Sequence, residues 1–262
     1  MKYRRKMVSV GNSIYVYNYE KVQKRGFKRI MKVEKIKEIL GMPVKKKEPK
    51  QLEIFKELEK REERLRFSLK RTRTRMYWII KANPDLTKFV TLTFEENILD
   101  VKKANRLFSL FIERLNYKYP NTKHFAVIEF QIKRGLKNGD GGTVHYHFLC
   151  NLPYIDVNLL AKIWGHGFVE IHKIKHIDSI GAYVSKYLTK EAFEGRMFRK
   201  RKYFYSKNLN LPIEIYDHKI QDKLIAQYNL DVDEDTFKEI YENVYTGKVK
   251  LKQFEINGDE KK

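Results

Sequence analysis

The chain has 262 residues, with 55 Lys and Arg against 33 Asp and Glu, a formal net charge of +22 and a pI near 9.7. A hydrophobic content of 42% with 13% aromatic residues supplies a core and excludes disorder throughout. The single cysteine, Cys150, excludes an internal disulfide, and the opening MKYRRKMVSVGNSIYVYNYE lacks an apolar run long enough for a signal peptide or a spanning helix. An intracellular, cytoplasmic protein without membrane partners is therefore expected. A cationic excess of this size serves nucleic acid, an anionic membrane surface or acidic proteins, and composition alone does not choose among them.

The charge is unevenly placed: residues 1–85 hold 26 Lys/Arg against 10 Asp/Glu, residues 221–262 hold 7 against 10, and the stretch between carries +9. Alternating Val, Ile and Tyr from Val8 to Tyr19 predicts a strand or hairpin turning at Gly11-Asn12. Lysine-rich helical text follows. Leu52, Phe55, Leu58, Leu65 and Leu69 predict one long or broken helix over 50–80, read either as a solvated charged helix or as a basic arm along phosphates. From Asn83-Pro84-Asp85 the pattern becomes regular, with a strand at Phe89–Phe94 and a helix over 101–117 whose apolar face is Val101, Ala104, Leu107, Phe108, Phe111, Ile112 and Leu115. Strands at 124–132 and 143–151 flank a glycine-rich connection, Lys133 to Gly142, that suits a hairpin. Asp156 caps a short helix ending at Trp164, Gly165-His166-Gly167 breaks it, and a strand runs from Phe168 to Ile174. The order β-α-β-β-α-β predicts an α+β fold, a ferredoxin-like split βαβ antiparallel sheet with helices on one face. A further helix opens at Asp178 or Ser179 and runs to about Phe193.

Three groups of residues carry chemistry. His145-Tyr146-His147 lies on a strand, where alternation points both imidazoles to the same face. Glu129 interrupts the otherwise apolar 125–132 strand, where a buried carboxylate is expensive unless paired or bound to a cation. With the hairpin centred between Lys137 and Asn138, position 129 mirrors 146, so a bulge or a diagonal contact joins Glu129 to both histidines, with Gln131 as an outer or fourth ligand. Such a nitrogen and oxygen set suits Mn²⁺ or Mg²⁺, without excluding Zn²⁺, and the task of polarising a phosphodiester. On the last helix, Tyr183, Lys186, Tyr187 and Lys190 share one face, and a lysine beside a phenol favours the nucleophilic phenolate. In Arg196 to Lys207, the cations Arg196, Arg199, Lys200, Arg201 and Lys202 mix with aromatic residues, as in a groove for single-stranded nucleic acid or a basic edge strand. His166, His172 and His176 read as packing or surface residues, and Cys150 as a small buried hydrophobe.

Together these motifs resemble the HUH endonucleases, specifically the rolling-circle replication initiators of plasmids and phages. Phe89–Phe94 is similar to the family's first motif, and His145-Tyr146-His147 to its His-hydrophobic-His motif, with Glu129 as the upstream third ligand. Val184 to Glu191, containing Tyr187 and Lys190, is similar to its tyrosine motif, and Tyr183 with Lys186 repeats the Tyr-x-x-Lys pattern as in two-tyrosine initiators. The long hairpin departs from the commonest pattern. The resemblance implies a metal-dependent nickase that attacks single-stranded or extruded origin DNA, forming a 5′-phosphotyrosine and a priming 3′-hydroxyl. It divides the chain into a basic extension at 1–85, a nicking domain at 86–195, and a C-terminal extension at 196–262 that is first basic and aromatic, then acidic. A transposase or relaxase of the same superfamily and a non-catalytic nucleic-acid-binding module are the alternatives. No G-x-x-x-x-G-K-[ST] motif is present, so a host or separate helicase and a polymerase are the expected partners.

Overall fold

The computed structural model describes residues 1–26, 51–131, 142–174, 197, 200, 201, 203–233, 236, 237, 239–243 and 246–256, with backbone alone for 51–58 and 243. Its first elements are strands β1 (Lys2–Val10) and β2 (Ser13–Lys24), helix α1 (Gln51–Lys81), strand β3 (Lys88–Phe94), helix α2 (Val101–Lys118), and strands β4 (His124–Gln131) and β5 (Thr143–Cys150). Then come helix α3 (Val157–Trp164), strands β6 (Gly167–Lys173), β7 (Tyr203–Tyr205) and β8 (Ile213–Ile215), helix α4 (His218–Gln227), and strands β9 (Glu239–Asn243) and β10 (Gly247–Glu255). The lysine-rich text at 27–50, the glycine-rich connection at 132–141 and the helix expected over 178–193 lie outside the described residues.

The chain forms two compact units, Met1–Ser68 with Ile213–Lys262, and Leu69–Pro212. In the first, β1 and β2 make the hairpin that their alternation predicts, turning through Gly11 at φ 54°. Strands from the other end of the chain complete that sheet in the order β8-β1-β2-β10-β9. Met7, Ile14 and Val16 project from one face onto Leu230 and Phe237, with Leu224 and Ile225 of α4 packed alongside. The two terminal segments, read from composition as separate extensions, thus share one core, because apolar alternation in both leaves a face that neither buries alone.

The second unit holds the regular middle of the sequence. Its sheet runs β6-β3-β5-β4-β7, all neighbours antiparallel. Strand β5 is inserted between the two strands joined by α2, which is the split βαβ arrangement. Asp100 caps α2 by accepting from the Lys102 N–H at 2.8 Å, and the helix buries Val101, Ala104, Phe108, Phe111 and Leu115. Asp156 caps α3, accepting from the N–H groups of Asn158 and Leu159 at 2.9 and 3.1 Å, and Gly165 ends it in the left-handed region. At Gly167 (φ 137°) a Cβ would collide with the backbone of Thr93 to Glu95, so the approach of β6 to β3 requires glycine.

Helices α2 and α3 cover one face of this sheet, where Val90, Leu92, Phe94, Ile128, Phe130, Tyr146 and Phe148 form the larger core. On the opposite face, Phe89, Phe125, Val127 and Leu149 meet Met76, Ile79 and Ile80 from the last turns of α1. The early part of α1 is a solvated charged helix at Lys60, Arg61, Arg64 and Arg66, all exposed, whereas its end is core.

Candidate active site

Beside that apolar patch, the same sheet face carries polar side chains. In β5 the alternation sends His145 and His147 to this face and Tyr146 to the other. There Tyr146 stacks on Phe108 with ring centroids 4.3 Å apart, and its hydroxyl donates to Asn105 Oδ1 at 2.6 Å. The hairpin register sets Glu129 directly opposite His145, with Ile128 opposite Tyr146. The mirror of position 129 is therefore 145 rather than 146, which places the hairpin's centre at Lys137. No bulge is needed: a directly opposed pair shares a face, and His147 is the diagonal neighbour.

The half-buried Glu129 carboxylate reaches that neighbour, with Oε2 2.7 Å from His147 Nε2. On the other side of β5, strand β3 pairs Thr91 with His147 and Thr93 with His145. Each threonine hydroxyl contacts the Nδ1 of its partner, at 3.1 Å for Thr91 and 3.2 Å for Thr93. Phe89 stacks on the His147 ring, with centroids 5.4 Å apart and planes 15° apart. Both imidazoles are almost fully buried, at 4% and 6% exposure, so their orientation is set by these contacts rather than by solvent.

Thr91 and Thr93 are the residues that motif reading missed. Their signal was present in Phe89-Val-Thr-Leu-Thr-Phe94, where hydroxyls two apart match the two-residue spacing of the histidines. A hydroxyl can donate or accept, so it satisfies Nδ1 in either imidazole tautomer.

Histidines 145 and 147 and Glu129 are thus brought onto one face. Among the described residues, however, no three His, Cys, Asp or Glu side chains stand in an arrangement that could hold a metal ion. Tyr183, Lys186, Tyr187, Lys190, Arg196, Arg199 and Lys202 lie outside the described residues, as does His176. Lys200 and Arg201 are exposed just before β7, the sheet's edge strand. Gln131 is exposed at the end of β4. His172 is an exposed surface residue paired with Glu170 at 2.8 Å. His166 lies against Phe94 and Trp164, and desolvation, reinforced by Arg114, holds it below the usual histidine range. Cys150 is fully buried, and desolvation pushes its thiol up to about 12, so it packs as a small hydrophobe.

An antiparallel split βαβ sheet that presents His-x-His beside a carboxylate defines the class of fold and site. Residues 87–192 match the family model of the replication-associated protein ORF2. The match covers about two fifths of the chain and spans β3 through β6, so this segment is of a replication-associated family, consistent with the rolling-circle resemblance of its motifs. No curated protein and no solved structure matches the chain. Among the described residues, no helix is long and apolar enough to cross a membrane.

Proposed function

We propose that this chain initiates rolling-circle replication by nicking and rejoining single-stranded origin DNA through a 5′-phosphotyrosine. The observation that carries the reading is Glu129, opposite His145 and bonded to His147, within the segment that matches the replication-associated family. A carboxylate and two imidazoles are suitable donors for Mn²⁺ or Mg²⁺, with Glu129, His145 and His147 as the residues that would hold the ion. When bound, such an ion polarises the scissile phosphate.

The chain's own groups supply the rest. While Glu129 accepts from His147 Nε2–H, Nδ1 of the neutral ring accepts from the Thr91 hydroxyl. When Nε2 gives its lone pair to a cation instead, Nδ1 carries the hydrogen and Thr91 accepts it. Tyr187 is the leading nucleophile: its phenolate oxygen bonds to phosphorus, the bond to the 3′ oxygen breaks, and that oxygen takes a proton to become the priming 3′-hydroxyl. Lys190 favours the phenolate, whose ordinary pKa is near 10. Tyr183 with Lys186 forms the second pair, able to perform the reverse, joining step. Origin DNA, a separate helicase and a polymerase are the partners of this activity.

Incubation with origin-derived single strands and Mn²⁺ is expected to give an SDS-resistant protein–DNA adduct, lost when Tyr183 and Tyr187 are both replaced by Phe. Salt-sensitive DNA binding that survives His145→Ala and His147→Ala, with no adduct from any origin fragment, would instead identify a non-catalytic binding module.

A further inference from the structure

The second unit contains a cleft of about 1000 Å³ at its sheet edge, lined by α2, the start of β4, and β7 with the residues that follow it. It is of the size that takes a nucleotide. His124 lies in its wall at 6% exposure. The backbone of His124 is satisfied, since its N–H donates to Ser206 Oγ and its carbonyl accepts from the Ser206 N–H, both at 3.0 Å. Its Nδ1, by contrast, is buried and has no hydrogen-bond partner. An orphaned buried nitrogen is costly, and a polar cleft beside it is where a ligand group would repay that cost.

The surrounding chemistry narrows the ligand. Desolvation holds the His124 imidazole down at about 4, so near neutral pH it offers one donor and one acceptor rather than a charge. Tyr205 presents an exposed ring on the same wall. Arg201 and Lys207 are exposed on either side of β7 and outnumber Glu113, the one carboxylate among the described lining residues. Neutral hydrogen-bonding groups, an aromatic ring and outer cations match the base, its face and the phosphate of a nucleotide.

We propose that this cleft binds one nucleotide of single-stranded DNA, with the base edge against His124, its face on Tyr205 and its phosphate at Arg201 and Lys207. The proposal rests on the reading of the chain as a DNA-processing protein. It adds a second point of attachment for the strand, at the sheet edge rather than at the histidine pair.

The test uses the full chain and single strands carrying 4-thiothymidine, photocross-linked and mapped. Cross-links to the peptide containing Tyr205 are expected, and cross-links confined to other peptides would overturn the site. In parallel, Arg201→Gln with Lys207→Gln is expected to weaken strand binding roughly tenfold and to lower the salt slope by about 1.4, because two phosphates are no longer neutralised. His124→Phe is expected to flatten the preference among oligonucleotides of the four bases. Should it fail to fold, Tyr205→Ala replaces it and is expected to abolish the cross-link. Unchanged binding and cross-linking in every variant would refute the proposal. Deoxynucleoside monophosphates that bind as tightly as the strand would also refute it, by assigning the cleft to free nucleotides. An adduct without the cross-link sinks this site and leaves the nickase standing; the cross-link without an adduct does the reverse.

Discussion

The two faces of the second unit's sheet are built from the same strands and bury their residues almost equally, yet they do opposite work. In β5 all eight residues are buried, but Val144, Tyr146 and Phe148 enter a core closed by α2 and α3, whereas His145 and His147 face Thr91, Thr93 and Glu129. The apolar face gains from area removed from water. The other face gains little from burial, because each polar group removed from water needs a partner in return. Strand periodicity thus assigns a residue to a face, while the neighbouring strands decide whether that face becomes core or site.

Substitutions can erase this contrast from either side. The largest effect is expected on the apolar face, where Phe148→Ala should cost about 3–5 kcal/mol in chemical denaturation, because α2 cannot collapse onto the cavity. Next is acid stability. The folded chain keeps His124 neutral down to about pH 4, while the unfolded chain protonates it near 6.5. Stability from this residue is therefore whole above pH 6.5 and is lost as pH falls toward 4, by about 3 kcal/mol at most. Denaturation of His124→Phe across that range should show a flatter pH profile; Arg201, Lys207 and Glu113 line the same cleft and stay in place. On the polar face, Thr91→Val is expected to leave stability within about 1 kcal/mol but to weaken Mn²⁺ binding by roughly 10–100-fold, read by calorimetry, with Thr91→Ser restoring it. The smallest effect is expected for Gln131→Ala, which should alter Mn²⁺ affinity by less than about threefold, since that side chain is exposed at the strand end.

Most of the second unit was legible because its signals are local. The caps at Asp100 and Asp156, the break at Gly165 and the apolar face of α2 each lie within one helix length. Glu129 with the histidines was also legible, since a hairpin ties register to sequence distance, although the register differed by one position. What sequence could not supply was pairing between distant segments. The contacts of Thr91 with His147 and of Thr93 with His145 cross 56 and 52 residues, and β10 joins β2 from the far end of the chain. His124 read as an ordinary strand residue because its unmet nitrogen depends on β7, some 80 residues later.

Whether the polar face is a nicking centre is decided by mapping the covalent adduct formed with origin single strands and Mn²⁺, in the parent chain and in His147→Ala. A nicking centre gives a phosphotyrosine at Tyr187 or Tyr183 in the parent and at least a hundredfold less adduct in the variant, on the order expected when a metal ligand is removed. An adduct on another residue, or equal adduct with and without His147, would show that the face has another role.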